Sequence, residues 1–233
     1  MLVLPISIAK IIKSLSLRIR FQAAGKCAVR DLDHGVAAAA EAPGGAGVQK
    51  RDVVALLHVL DMRMAEKRKL RAGDIVSIDL GAKFDGYHGD NAATFACGDV
   101  SPEAKRLMDT TRESLYEGIR AACAGGRIGD IGHAVQSYVE ARGYSVVRQF
   151  VGHGVGTHLH EAPEVPNFGT PSRGIRLMPG MTIAIEPMVN AGGYDVKVQP
   201  DGWTVLTKDG SLSAHFEHTI VITADGPKIM TVV

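Results

Sequence analysis

Cysteine is scarce in this 233-residue sequence: Cys27, Cys97 and Cys123 are all there is. An odd number without metal-ligand spacing offers neither a disulfide framework nor a thiolate cage, and reads as the reduced thiols of a cytosolic protein. Long apolar runs are missing too, since no uncharged stretch approaches the roughly 18 residues of a membrane span. Charge of either sign is hardly in excess. With 26 basic and 25 acidic residues the formal net charge is +1, which gives no reason to expect nucleic acid as an obligatory partner. The glycine-rich stretch "VGHGVG" is not followed by Lys-Ser/Thr, and there is no dinucleotide fingerprint, so phosphate cradling has no support. Acid is absent from residues 1–30, which carry Lys10, Lys13, Arg18, Arg20, Lys26 and Arg30. That basic, apolar start reads as an atypical N-terminal extension, a surface helix or a targeting segment. "AAAAEAPGGAG" at 37–47 is low-complexity and linker-like.

What is present is globular: 45% hydrophobic and 22% charged residues, enough for one sizeable core or two small halves sharing one. Leading into "SIDLGAKFDGYHGD" (77–90), the β-branched run Ile75, Val76, Ile78 predicts a strand over Asp74 to Leu80. Asp85-Gly86 is the pair that a two-residue hairpin turn prefers, because both central positions need positive φ. With that turn, Asp79 faces Ala92 and Asp90 faces Gly81. The two aspartates then lie on one face as diagonal neighbours, about 7–8 Å apart at Cβ. They could be two solvated carboxylates, or two halves of one site.

Downstream, Ser101 and Pro102 open a helix whose apolar stripe is Ala104, Leu107, Met108, Leu115, Ile119 and Ala122, closed by Gly125-Gly126. A second helix starts near Asp130, with Ile131, Ala134, Val135, Tyr138 and Val139 inward, and stops at Gly143. "YSVVRQFVGHG" is expected to be one strand entering a glycine-rich loop. "MTIAIEPMV" and "SAHFEHTIVIT" read as further strands, with "DGWTVLTKDGS" a meander between them. The order hairpin, two helices, several strands predicts an α+β fold, helices covering one face of a curved, largely antiparallel sheet.

Glu186 precedes Pro187 and closes its strand, sharing a face with the small residues Thr182 and Ala184. Glu217 sits in the apolar run "HFEHTIVI", where burying its charge is costly unless a cation compensates. A lysine or arginine would serve for either glutamate alone, and so would a metal ion. "VGHGVGTHLHEAP" supplies His153, His158 and His160. The glycines flanking His153 are expected to let backbone approach a ligand closely.

From about Lys69 to Thr231 the sequence resembles the type I methionine aminopeptidases. The resemblance rests on "DIVSIDLG", "GYHGDNA", "GDIGHAVQ", "VGHGVG…HEAP", "MTIAIEPMVNAG" and "DGWTVLTKDGSLSAHFEHTIVIT". It implies the pita-bread fold, with residues 69–233 as catalytic domain and 1–68 as an atypical N-terminal segment. It also implies a metal-dependent exopeptidase that removes the initiator methionine from nascent proteins. The implied metal ligands are Asp79, Asp90, His153, Glu186 and Glu217, holding two divalent ions per chain (Co²⁺, Mn²⁺, Fe²⁺ or Zn²⁺). Asp79 serves one ion, His153 and Glu186 the other, and Asp90 and Glu217 bridge. Four carboxylates and an imidazole suit such ions on chemical grounds as well. Glu186 is the implied proton shuttle, His160 the hydrogen-bond donor to substrate, and Trp203 a substrate contact at the entrance. His88, His158 and His215 are left with structural duty or with bracing the ligands. The implied setting is a cytoplasmic monomer acting on nascent N-termini, with transient ribosome association and neither membrane nor nucleic acid required.

The resemblance also has gaps. The family carries a Val-His-Gly-Ile-Pro-like run just before the matching segment. Here "VVALLHVLDMRMAEKRKL" stands in its place and is expected to be helical; His58 does not match the family histidine. Asn91 replaces the usual threonine. Alternative readings are a pita-bread protein that keeps its metal but has little activity, a non-catalytic binding relative, and an aminopeptidase cleaving before proline.

Overall fold

The computed structural model describes residues 54–59 (as backbone), 70–202 and 204–231. The basic start, the Ala-Gly stretch and Trp203 lie outside the described residues. Three strands come first, β1 (Val54–Val59), β2 (Ile75–Phe84) and β3 (Tyr87–Ala96), in an antiparallel sheet of that order. Asp85 (φ 49°) and Gly86 (φ 82°) make the β2–β3 turn. The pairs Asp79↔Ala92 and Gly81↔Asp90 are those expected from the turn.

The helix expected around residues 53–70 is not what forms over Val54–Val59. That stretch is a strand paired with β2, with His58 opposite Asp79. A short apolar run is compatible with either period. The deciding term is the otherwise open edge of β2, whose N–H and C=O groups need partners.

Two helices follow, α1 (Pro102–Ala121) and α2 (Ile128–Glu140). Ser101 Oγ caps α1 by accepting from the Ala104 N–H at 3.1 Å. Asp130 lies at the third position of α2, which begins two residues before it, and its carboxylate accepts from the Arg127 N–H at 2.7 Å.

The rest of the chain is short strands: β4 (Ser145–Val146), β5 (Gly152–Gly154), β6 (Glu161–Val165), β7 (Thr182–Ile185), β8 (Met188–Asn190), β9 (Val196–Val198), β10 (Val205–Thr207), β11 (Ser213–His215), β12 (His218–Thr223) and β13 (Gly226–Ile229). They form a five-stranded sheet, β13-β12-β7-β5-β6, a three-stranded sheet, β11-β8-β4, and the β9-β10 hairpin, all antiparallel. The helices lie antiparallel across both larger sheets. Leu115, Ile119, Ile128 and Ile131 pack on Val165, Ile183, Ile185, Ile220 and Ile222 of the five-stranded sheet. Ala104, Leu107, Val135 and Val139 pack on Val146, Val189 and Ala214 of the three-stranded one. Each fully buried Leu, Ile or Val contributes about 1.5–3 kcal/mol, so this double interface holds the two sheets as one body.

Three segments expected to be single strands are each divided between the two sheets. "MTIAIEPMV" runs through β7, breaks at Glu186-Pro187 and resumes as β8. Pro187 has no N–H for a ladder. "SAHFEHTIVIT" is β11, then Phe216-Glu217, then β12. There the Glu217 N–H leaves both sheets and donates to the Ala92 carbonyl of β3 at 2.8 Å. "YSVVRQFVGHG" is β4, whose last contact is the Val147 N–H to the Met188 carbonyl at 2.9 Å, and then β5 in the other sheet. Its partner β8 begins at Met188, just after Pro187, so the ladder has nothing further to pair with.

Candidate metal centre

Two of these three breaks deliver a glutamate. Glu186 sits where β7 gives way to β8, and Glu217 where β11 gives way to β12. His153 is central in β5, the neighbour of β7. Its flanking glycines do not admit a ligand, contrary to expectation. A Cβ on Gly152 would collide with the Ala184 carbonyl of β7, and one on Gly154 with the Ala162 carbonyl of β6. They let neighbouring strands close around the histidine.

The β2–β3 hairpin brings Asp79 and Asp90 over these three residues. Its anchor is Thr219 of β12, whose hydroxyl accepts from the Asp90 N–H and donates to the Asp90 carbonyl, both at 2.8 Å. All five side chains, with Gly81, Leu159 and His160, line one cleft of about 340 Å³ including its open mouth. Asp79, Asp90 and Glu217 offer oxygens within 4.8 Å of one another, as do the ligand atoms of His153, Glu186 and Glu217. The two triads share Glu217. Asp90 also approaches the second triad, its Oδ2 lying 3.8 Å from His153 Nε2, while Glu186 Oε1 lies 3.5 Å from the same nitrogen. His153 Nδ1 lies 2.9 Å from the Gly154 carbonyl. As donor there it leaves the Nε2 lone pair facing the carboxylates, the tautomer that a ligating imidazole needs.

Among the described residues no lysine or arginine lies within salt-bridge distance of these carboxylates; only His153 and His215 approach them. Glu217 Oε1 is buried without a hydrogen-bond partner among the described residues. Burial, and then the charge of Asp90, push Asp79 up to about 8. Burial raises Glu186 well above the usual range, with Asp79 and Asp90 adding to it. Glu217 is raised likewise, by burial, then Asp90, Glu186 and Asp79. Buried anions that repel one another, with an orphaned oxygen among them, fit a cation-binding donor set. Oxygen-rich ligation with one imidazole fits a divalent ion.

The metal-free protein should therefore lose stability as pH rises from 6.5 to 8. The folded state retains protons on these carboxyls after the unfolded chain, titrating near 3.8 and 4.5, has released them. Unfolding then releases protons, and rising pH favours it. Below about 6.5 the buried imidazoles act oppositely, since burial depresses His153, His215 and His218 and the unfolded chain takes up protons that they refuse. Thermal melts in chelator should show Tm falling across pH 6.5–8, and Mn²⁺ should flatten the slope. A flat or rising Tm in chelator would contradict this.

The remaining candidates fall around the cleft. His160 is exposed at the mouth, its ring 4.3 Å from that of His153. Trp203 is outside the described residues. His88 ties the hairpin to the loop below through its N–H to the Gly156 carbonyl at 2.8 Å. His158 is exposed, 3.5 Å from Glu161. Asn91, with its amide nitrogen turned inward, donates to the Glu217 carbonyl (3.2 Å) and to His218 Nδ1 (3.0 Å), and so braces a site residue. Sequence reasoning missed this brace, the Thr219 clamp, and the Asn167 amide that donates to the Glu186 carbonyl at 3.0 Å. Thr219 and His215 carried a usable signal, since each stands two residues from Glu217 in an alternating pattern. Asn167 carried none.

Comparison with known proteins gives the family. The pattern of metallopeptidase family M24 matches residues 32–224, reaching upstream of Lys69. Methionine aminopeptidase 1 of Bacillus subtilis (strain 168) is 56% identical over 164 residues, covering 70% of this chain and 66% of that protein. The shared stretch thus spans just under two thirds of that relative. The crystal structure of methionine aminopeptidase from Thermotoga maritima superposes with a TM-score of 0.73 at 44% identity, over 77% of this chain and 74% of that one. The Rickettsia prowazekii enzyme superposes with 0.72 at 43%, over 77% and 73%. Five ligand-type side chains converging in one cleft, on an α+β pita-bread scaffold shared with these structures, place the chain in metallopeptidase family M24, among the methionine aminopeptidases.

Proposed function

We propose that this chain is a dinuclear metallo-aminopeptidase that removes the N-terminal methionine from nascent polypeptides in the cytoplasm. The observation that carries the reading is the pair of overlapping ligand triads joined at Glu217. One triad would seat an ion through Asp79, the other through His153 and Glu186, with Asp90 and Glu217 serving both. Two divalent ions (Co²⁺, Mn²⁺, Fe²⁺ or Zn²⁺) would supply Lewis acidity toward the scissile carbonyl and an activated water at neutral pH. Glu186, lining the cleft beside His153, is placed to take a proton from water and return it to the leaving amine. His160, at the mouth, donates a hydrogen bond to the oxygen on which charge develops. The sequence around the ligands is of the methionine type, which disfavours cleavage before proline, and a ligand set with all five members present disfavours a purely binding role.

The test is release of methionine from Met-Ala-Ser with Mn²⁺ or Co²⁺ added, against the same peptide acetylated at its N-terminus. Release from the free peptide alone is expected. Cleavage of both peptides would contradict exopeptidase action, and cleavage of neither would contradict the activity.

The methionine pocket is the part where residues 1–68 matter. Their sequence lacks the Val-His-Gly-Ile-Pro-like run, which in the family supplies a histidine donor and part of the pocket wall. A chimera carrying that run should raise kcat/KM at least ~10-fold, equivalent to about 1.4 kcal/mol of transition-state binding. Equal values for the two proteins in steady-state kinetics on one Met-Ala peptide would show that this chain builds its pocket by another route.

A further inference from the structure

His215 is buried, 3% exposed, and neither ring nitrogen has a hydrogen-bond partner among the described residues. Its backbone is pinned. The N–H donates to Thr94 Oγ1 at 2.9 Å, the carbonyl accepts from that hydroxyl at 2.8 Å, and Ser77 Oγ lies 2.8 Å from Thr94 Oγ1. The register pairs His215 with Met188, two residues beyond Glu186, so the ring reaches back toward the break where Glu186 sits. Nε2 is 3.7 Å from Glu186 Oε2, while Glu186 Oε1 faces His153 Nε2 at 3.5 Å. Closing the first distance to a normal hydrogen bond takes about 0.8 Å, within reach of a small side-chain rotation.

We propose that His215 is a positioning residue: its Nε2–H donates to Glu186 Oε2 and so aims the other carboxylate oxygen at the metal site. The inference rests on reading Glu186 as a metal ligand. Ligating carboxylates are commonly fixed by such outer hydrogen bonds, and removing one weakens metal binding by about 10–100-fold. Packing and donation make different demands. Phenylalanine fills the space of the ring without a donor, whereas glutamine restores an N–H at similar reach.

Mn²⁺ affinity, measured by competition with a chelator, should therefore fall ~10–100-fold in His215→Phe and stay within about threefold of wild type in His215→Gln. Phenylalanine binding as tightly as wild type, or glutamine as weakly as phenylalanine, would overturn the proposal. A second measurement needs no variant. In Zn²⁺-loaded wild-type protein labelled with ¹⁵N-histidine, His215 should carry its proton on Nε2, and a proton on Nδ1 would overturn it. Wild-type protein that takes up no divalent ion would instead bring down the metal-centre reading, and this proposal with it.

Discussion

Glu217→Gln is expected to leave at most one metal ion per chain and to lower kcat by ~10³ or more. The triads Asp79-Asp90-Glu217 and His153-Glu186-Glu217 both pass through this carboxylate, so its loss weakens two sites at once. An ion acting as Lewis acid contributes several kcal/mol to the transition state, and each 1.36 kcal/mol is about tenfold in rate. The same substitution should raise the Tm of the metal-free protein near pH 8. It removes an ionisable group that is buried and repelled by Asp90, Glu186 and Asp79, and keeps nearly the same volume. Metal content by elemental analysis and melts in chelator check the two halves. A variant that still binds two ions would show that Glu217 does not bridge.

His160→Ala should behave oppositely, with metal content intact and kcat lowered by about 10²–10³, the usual cost of one preorganised donor to a developing oxyanion. The side chain is exposed, so stability should move by no more than about 0.5 kcal/mol. The rival role is visible in the geometry, since His160 groups with Asp90 and His153 within ligand distance. Elemental analysis beside steady-state kinetics separates the two. Loss of metal in His160→Ala would make it a ligand and overturn the division of labour between the two histidines.

The hairpin was legible because its determinants are local: a β-branched run, a turn pair needing positive φ, and a period of two that carries register along both strands. The α1 stripe was legible for the same reason, as Ala104, Leu107, Leu115, Ile119 and Ala122 are all buried. The strand breaks were not. Whether Ala184-Ile185-Glu186-Pro187-Met188 is one strand or two depends on which distant segments flank it, and only Pro187 hinted at the division. Those breaks are where Glu186 and Glu217 emerge, so the feature that builds the site is tertiary. The glycines beside His153 do permit close approach, as the sequence implies, but to the neighbouring strands and not to a ligand. Val54–Val59 went astray because its partner, the open edge of β2, lies outside its own sequence. The ligand residues themselves were named through the flanking motifs of a resemblance; alternation alone reaches Asp79 and Asp90 as neighbours and stops there.

The central claim is that five side chains hold two catalytic ions. It is tested most directly by titrating metal-free protein with Mn²⁺ while following bound metal and methionine release from Met-Ala-Ser together. Activity should grow with occupancy, approach its limit near two ions per chain, and vanish on chelation. Protein shown to be metal-free yet still releasing methionine would contradict the account.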